Sequence, residues 1–377
     1  MVYLDNAATT FPKPREVIKE TESAMRELCG NPGRGSHRAA AAAAERVYRC
    51  RETAGSFFGA PPENVVLTCN ATAALNIAIK GYARDGGRIL ISDMEHNSVL
   101  RPAARAAEER GAELLIYETF PGDDGRTVEG IRKLIKSGST VVVASHMSNI
   151  CGRILPIAEI GELCRDSDCV FVVDGSQSAG RLKIDVSGMK IDALCVPGHK
   201  GLYGPQGTGL LVLGNAGHGL PRTLTEGGSG LNSIDITMPD DPPERYEAGT
   251  LNSPGAAGLS AGIEWVGRVG IDRISEREDR LCRTFRESIA EIPGVTVYSD
   301  EGGPVALFGV AGKSPAGIGA FLDGRGICVR SGLHCAPLAH KTLGTAPGGA
   351  VRASFGFFNT ASDVKKAVDA VRRVAAL

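Results

Sequence analysis

The stretch VVDGSQSAGRLKIDVSGMKIDALCVPGHKG, residues 172–201, decides how the rest of the chain is read. Residues 169–174 form a continuous apolar run ending in the carboxylate of Asp174, and residues 191–196 form a second run, closed by a Pro-Gly-His-Lys turn. As buried strands of a parallel sheet, the two runs deliver Asp174 and Lys200 to strand ends, where open α/β sheets place their ligands. A buried lysine can lose its proton near neutral pH and become an imine-forming amine. A carboxylate opposite it can hold an aromatic ring nitrogen in its protonated state. The same spacing occurs in ordinary α/β proteins, so the surrounding segments have to decide.

A chain of 377 residues exceeds what one core requires and suggests two domains. Gly 49 with only 5% aromatic residues points to many tight turns. Lys+Arg 42 against Asp+Glu 43 leaves a net charge of -1 and no global field for nucleic acid or an anionic membrane. No apolar stretch approaches the roughly 20 residues of a membrane span, so a cytoplasmic location is expected. The cysteines show no CxxC pair; those at 69, 169 and 195 fall in strand-like runs and read as small hydrophobes in a reducing compartment. The histidines lack paired metal-ligand spacing, and no metal is expected.

Residues 1–14 read as an extended arm ended by Pro12 and Pro14. A helix follows over residues 15–28, with Val17, Ala24, Met25 and Leu28 on one face. The loop 29–37 offers Asn31, Arg34 and His37 to a pocket or to solvent, and the alanine-rich residues 38–58 form a long, closely packed helix. Apolar strands are expected at 65–69, 88–92, 113–117, 140–145, 169–174, 191–196 and 208–213, mostly separated by amphipathic helices. That rhythm predicts a large α/β domain with a seven-stranded, mainly parallel sheet over residues 15–253. Helices near 256–269, 271–292, 315–323 and 361–375, with strands near 295–298, 305–310, 326–330 and 350–354, predict a small C-terminal α+β domain over residues 254–377.

Three more strand ends carry polar groups. Strand 65–69 runs into NATAALN, where a helix opening near Thr72 could cradle phosphate or simply be capped. DMEHNS places His96 after strand 88–92, able to lie on an aromatic ring and relay protons, or to be a surface residue. SHMSN places Asn149 after strand 140–145 as a hydrogen-bond donor or a turn former. Together with Asp174 and Lys200, these bring a phosphate cradle, a ring and an amine to one sheet edge, the requirements of pyridoxal phosphate chemistry.

Taken together, YLDNAATT, NATAALN, EHNS, HMSN, VDGSQSAG, PGHKGLYGPQGTG and YEAGT resemble the class V aminotransferase family of pyridoxal phosphate enzymes over nearly the whole chain. RSGLHCA at 330–336 and VRAS at 351–354 bring the likeness closest to group II cysteine desulfurases and selenocysteine lyases. The resemblance implies an aspartate-aminotransferase-like fold (PLP fold type I), a homodimer and pyridoxal 5'-phosphate as cofactor. It makes Lys200 the Schiff-base lysine, Asp174 the partner of the pyridine nitrogen and His96 the stacked ring. Gln177 and Asn149 would bond the ring oxygen or its surroundings. Thr72, His199 and the second subunit's own Thr250 would hold the phosphate, with Ala71 standing where a hydroxyl is frequent and Pro197 where a serine is. Arg352 would clamp the substrate carboxylate, with Arg330, Asn149 and His37 beside it.

By the same resemblance Cys335 is the sulfur-accepting nucleophile, and its neighbours Arg330 and His334 make a polar, positive setting that favours thiolate. Cys328, in an apolar run, reads as buried and inert. The implied reaction takes sulfur from L-cysteine, giving alanine and a persulfide, with release of selenium from L-selenocysteine as the nearest rival and a transaminase or epimerase as another. The short stretch from Cys335 to Arg352 cannot carry a persulfide far, which implies an acceptor protein for sulfur or selenium that reaches into the site.

Overall fold

The computed structural model describes residues 1–27, 30–33, 35–214, 217–231, 234–299 and 302–377. The roles anticipated for Leu28 and Arg34 lie outside the described residues. In the first half, β1 (Val2–Tyr3), α1 (Arg15–Glu27) and α2 (Arg38–Phe58) precede an alternating series. That series is β2 (Val65–Thr68), α3 (Ala71–Tyr82), β3 (Arg88–Ser92), α4 (Asn97–Arg110), β4 (Glu113–Tyr117), α5 (Asp124–Leu134), β5 (Thr140–Ser145), α6 (Ile157–Asp166) and β6 (Val170–Asp174). It closes with β7 (Ala193–Pro197) and β8 (Gly209–Leu213).

These strands form one seven-stranded sheet in the order β2-β8-β7-β6-β5-β3-β4. Only β8 runs against the others, because the turn joining it to β7 is too short for a crossover. Alternate strand residues feed two cores. Val142, Phe171, Val173, Leu194 and Val196 face α2, α5 and α6, whereas Val141, Val143, Val170, Val172 and Cys195 face α3 and α4. Burial on both faces explains why the strands read as unbroken apolar runs.

The second half begins with α7 (Ser253–Val269), whose Ala256, Leu259 and Ile263 join the sheet's first core alongside α2. The chain continues through α8 (Ile271–Ala290), β9 (Val295–Val297), β10 (Val305–Val310), α9 (Pro315–Asp323), β11 (Ile327–Cys328), β12 (Arg330–Gly332), α10 (Pro337–Thr342), β13 (Ala350–Ser354) and α11 (Ala361–Ala375). A four-stranded sheet, β12-β13-β10-β9, packs on α8 and α11 around Phe285, Phe308, Phe355 and Val371. The N-terminal arm belongs to this second core: β1 pairs with β11, and Val2 and Leu4 are buried in it.

Several sequence expectations need correction. The strand anticipated at 326–330 is two strands that join different partners, and α10 was not anticipated. Met25 is 71% exposed, since it lies one residue beyond the Val17/Ala24 stripe and so turns off the buried face. Cys69 is exposed because β2 stops at Thr68, and Cys328 is only half-buried in a two-residue strand.

Inside the large unit Arg51 and Glu247 form a buried double ion pair (2.8 and 2.5 Å), and Glu247 also accepts from the Leu67 amide. Removing one partner strands the other charge, a cost of about 3–5 kcal/mol. Glu247→Ala is therefore expected to lower the urea midpoint of unfolding by a corresponding amount; an unchanged midpoint would show that the pair adds no net stability.

Candidate active site

The C-terminal ends of β2, β3, β5, β6 and β7 meet along one sheet edge, and a cleft opens there. Ala71, Thr72, His96, Asn149, Asp174, Gln177, His199 and Lys200 all line it, so eight of the sequence-derived residues share one cavity. Asn70 caps α3 by accepting from the Ala73 amide. The amides of Ala71 and Thr72, at the first turn, have no earlier carbonyl to bond and form an anion cradle backed by the helix dipole.

Lys200 sits partly buried in this cleft. Desolvation pushes its amine down to about 8, with Arg352 and Arg330 acting in the same direction and Asp174 opposing. Asp174 is buried at the end of β6, where its Oδ1 accepts from the Ser176 amide at 2.9 Å. His96 accepts from the Ser98 amide at Nδ1 (3.0 Å), so its proton sits on Nε2. Burial lowers its pKa to about 4, so it is a neutral ring that can lie against a cationic aromatic without charge repulsion. His199 is likewise pushed down to about 4 by burial, and its buried Nδ1 has no partner among the described residues.

The small unit adds the other wall. Arg352, on β13, is 1% exposed and donates to the Asn149 carbonyl (3.1 Å) and to Asp5 (2.7 Å). Cys335 is exposed, and Arg330 reaches to 3.8 Å from its sulfur. The Cys335 carbonyl accepts from the Asn97 amide at 2.7 Å, and the His334 carbonyl from Asn149 Nδ2 at 3.1 Å. These bonds dock the cysteine segment beside His96. Beneath it, Ala336 and Ala339 pack on Met94 and Ile150.

One expected residue lies elsewhere: His37 caps α2 by accepting from the Ala40 amide. Thr250, expected to serve a second subunit, lines a separate cavity, where its hydroxyl accepts from Asn31 at 3.3 Å. Gln177 faces the cleft but gives its amide to the Ala7 carbonyl at 3.0 Å. Sequence reasoning missed the arm's part. Thr10 donates to the Lys200 carbonyl (3.0 Å), and Lys13 to the His199 carbonyl (2.7 Å). It also missed Glu95, which is fully buried, bonds Ser92 and Ser145, and is raised by burial to about 7. The charge directly before His96 at a strand end was the available signal.

Residues 2–367 match the family described as Aminotransferase class-V. The chain belongs to that family. Among its class-V relatives, a probable cysteine desulfurase of Methanothermobacter thermautotrophicus is 32% identical across 100% of this chain and 95% of its own. A cysteine desulfurase of Salmonella newport is 32% identical across 99% and 93%. The apo structure of a cysteine desulfurase from Thermococcus onnurineus NA1 superposes with a TM-score of 0.89 at 32% identity, covering 100% of this chain and 94% of the other. The cysteine desulfurase CsdA of Escherichia coli gives a TM-score of 0.88 at 29% identity, covering 100% and 94%. The α/β fold with its mostly parallel seven-stranded sheet is thus that of known cysteine desulfurase structures.

For this class-V site, amine-specific labelling of Lys200, followed by mass spectrometry, should rise with pH to half its maximum near 8 rather than near the ordinary 10.5. Asp174→Asn removes the group that raises the lysine, so its midpoint is expected to fall further. A wild-type midpoint near 10.5 would contradict the assignment of the cleft as desolvated.

Proposed function

We propose that the chain is a pyridoxal 5'-phosphate-dependent cysteine desulfurase that converts L-cysteine to L-alanine and leaves a persulfide on Cys335. One observation carries the reading: an exposed thiol is held by its own backbone beside a cleft that combines a low-pKa lysine, a buried carboxylate, a neutral histidine and a helix-start anion cradle. The names of the relatives point the same way.

The unpartnered Nδ1 of His199 and the open amides of α3 suit a phosphate, although Ala71 and Pro197 supply no hydroxyl there. Lys200 would hold the cofactor aldehyde, Asp174 its ring nitrogen and His96 its face, with Gln177 and Asn149 at its edge. Bound there, pyridoxal phosphate supplies an electron sink for charge developing at the substrate Cα. Arg352 and Arg330 bind and orient the substrate carboxylate. Lys200, whose amine is half deprotonated near pH 8, moves the Cα proton. The Cys335 thiolate then attacks the substrate sulfur. An S–S bond forms as the Cβ–S bond breaks, the electron pair left on Cβ takes up a proton, and Cα regains the proton that Lys200 removed, giving alanine.

The persulfide would pass to an acceptor protein, for which the exposed thiol and the neighbouring Leu333, 39% exposed, are the accessible features. Thr250 lies outside this chain's own cleft, and Ile234 and Ile236 are fully exposed near it in sequence; both support a homodimer in which Thr250 completes the other subunit's phosphate site. Among the described residues no helix is long and apolar enough to cross a membrane, and free cysteines suit a reducing cytoplasm.

The test is alanine release from L-cysteine and from L-selenocysteine by wild type, Cys335→Ala and Lys200→Ala. Alanine from cysteine is expected to fall at least about 100-fold in either variant. Arg352→Lys, which replaces a planar fork by a point charge, should raise KM about tenfold. Alanine from selenocysteine alone would make the protein a selenocysteine lyase, and no alanine from either substrate would overturn the reading.

A further inference from the structure

The segment that carries Cys335 has an unusual backbone. His334 and Cys335 lie consecutively at φ values of 48° and 58°, the left-handed region that L-residues avoid. Neither is glycine, so something outside the dipeptide must hold it. The two carbonyls are taken by Asn149 Nδ2 and the Asn97 amide, as described. The His334 side chain is buried at 3% exposure in a separate chain of bonds.

That chain has a direction fixed by chemistry. His334 Nε2 lies 3.1 Å from the Arg330 carbonyl, which can only accept, so Nε2 bears the proton. In the neutral ring Nδ1 must then accept. Its neighbour at 3.2 Å is His340 Nε2, which therefore donates. His340 Nδ1 in turn accepts, and the Thr345 hydroxyl at 2.6 Å is its donor. The order is Thr345 to His340 to His334 to the Arg330 carbonyl, with every tautomer set from one end. The two rings lie nearly coplanar and edge to edge, centroids 5.4 Å apart with an interplanar angle of 15°, as an in-plane N–H···N bond requires, and both are neutral, pushed down chiefly by burial. The loop beyond Thr345 presses on the same segment. A Cβ at Gly349 would lie 2.3 Å from the Gly332 carbonyl oxygen, so only glycine lets the two backbones meet.

We propose that the Thr345–His340–His334 relay is a positioning device for the nucleophile, holding residues 334–335 in the left-handed conformation that presents Cys335 to the cleft. It rests on the reading of Cys335 as the sulfur acceptor. The relay touches neither substrate nor cofactor and acts through the Arg330 carbonyl and the backbone of residue 335. Thr345→Val removes the hydroxyl that donates to His340 Nδ1 at the far end of the relay, and His340→Phe removes the middle link while keeping an aromatic ring.

The experiment compares wild type, Thr345→Val, His340→Phe and the conservative Thr345→Ser, each loaded with pyridoxal phosphate. Amide hydrogen exchange is measured over residues 330–336, with steady-state kinetics on L-cysteine. In Thr345→Val and His340→Phe, exchange in this segment is expected to accelerate at least tenfold, while exchange in the seven-stranded sheet stays at the wild-type rate. In both, kcat falls about tenfold with KM unchanged, because KM follows Arg352 rather than the thiol. Thr345→Ser restores both readouts. Wild-type exchange in the Val and Phe variants, or faster exchange with undiminished kcat, would overturn the proposal. Exchange does not depend on turnover: a relay that orders the segment in a protein with no activity on cysteine would retain the anchor and overturn only the functional reading.

Discussion

A guanidinium as deeply buried as that of Arg352 is tolerated only with a counter-charge, and the counter-charge is Asp5. That requirement brings the N-terminal arm across the molecule. Once Asp5 is fixed, Asn6 bonds the Ser354 carbonyl and Asn359, and Ala7 bonds the Ser354 hydroxyl. A few residues on, Thr9, Thr10 and Lys13 hold the carbonyls of His199 and Lys200. One ion pair therefore sets the register between the strand bearing Arg352 and the turn bearing Lys200, which come from different cores.

The same economy governs the cysteine segment. A reactive thiol has to be exposed, and an exposed side chain cannot be held by packing. The chain solves this by holding the neighbours: the carbonyls on the large-domain side, the His334 ring on the other, and α10 beneath by Ala336 and Ala339. Left-handed backbone costs about 1–2 kcal/mol per residue, which hydrogen bonds worth about 1 kcal/mol each can offset when several converge.

Much of the fold was legible because the strands are buried on both faces. Residues 140–145 have an apolar centre, Val141 to Ala144, are buried throughout, and their boundaries agree with β5 as found. The long helices were legible through their one-sided stripes, whereas Met25 was misassigned because a single apolar residue beside the stripe does not reveal its own exposure. The division of 326–330 into β11 and β12 was not legible, since two short extended pieces differ only in their partners.

The sequence by itself determined the parallel sheet and which polar residues follow its strands, because continuous apolar runs and strand-end chemistry are local properties of the chain. It placed Asp174, Lys200, His96 and Asn149 at one edge before any contact was known. Only the tertiary structure decided what each of them faces. Asp5 meets Arg352, Asn149 meets His334 and Thr342 meets Asp93 across separations of 347, 185 and 249 residues. No local pattern encodes such pairs, because they exist only where two independently packed cores are pressed together and their buried polar groups must be satisfied.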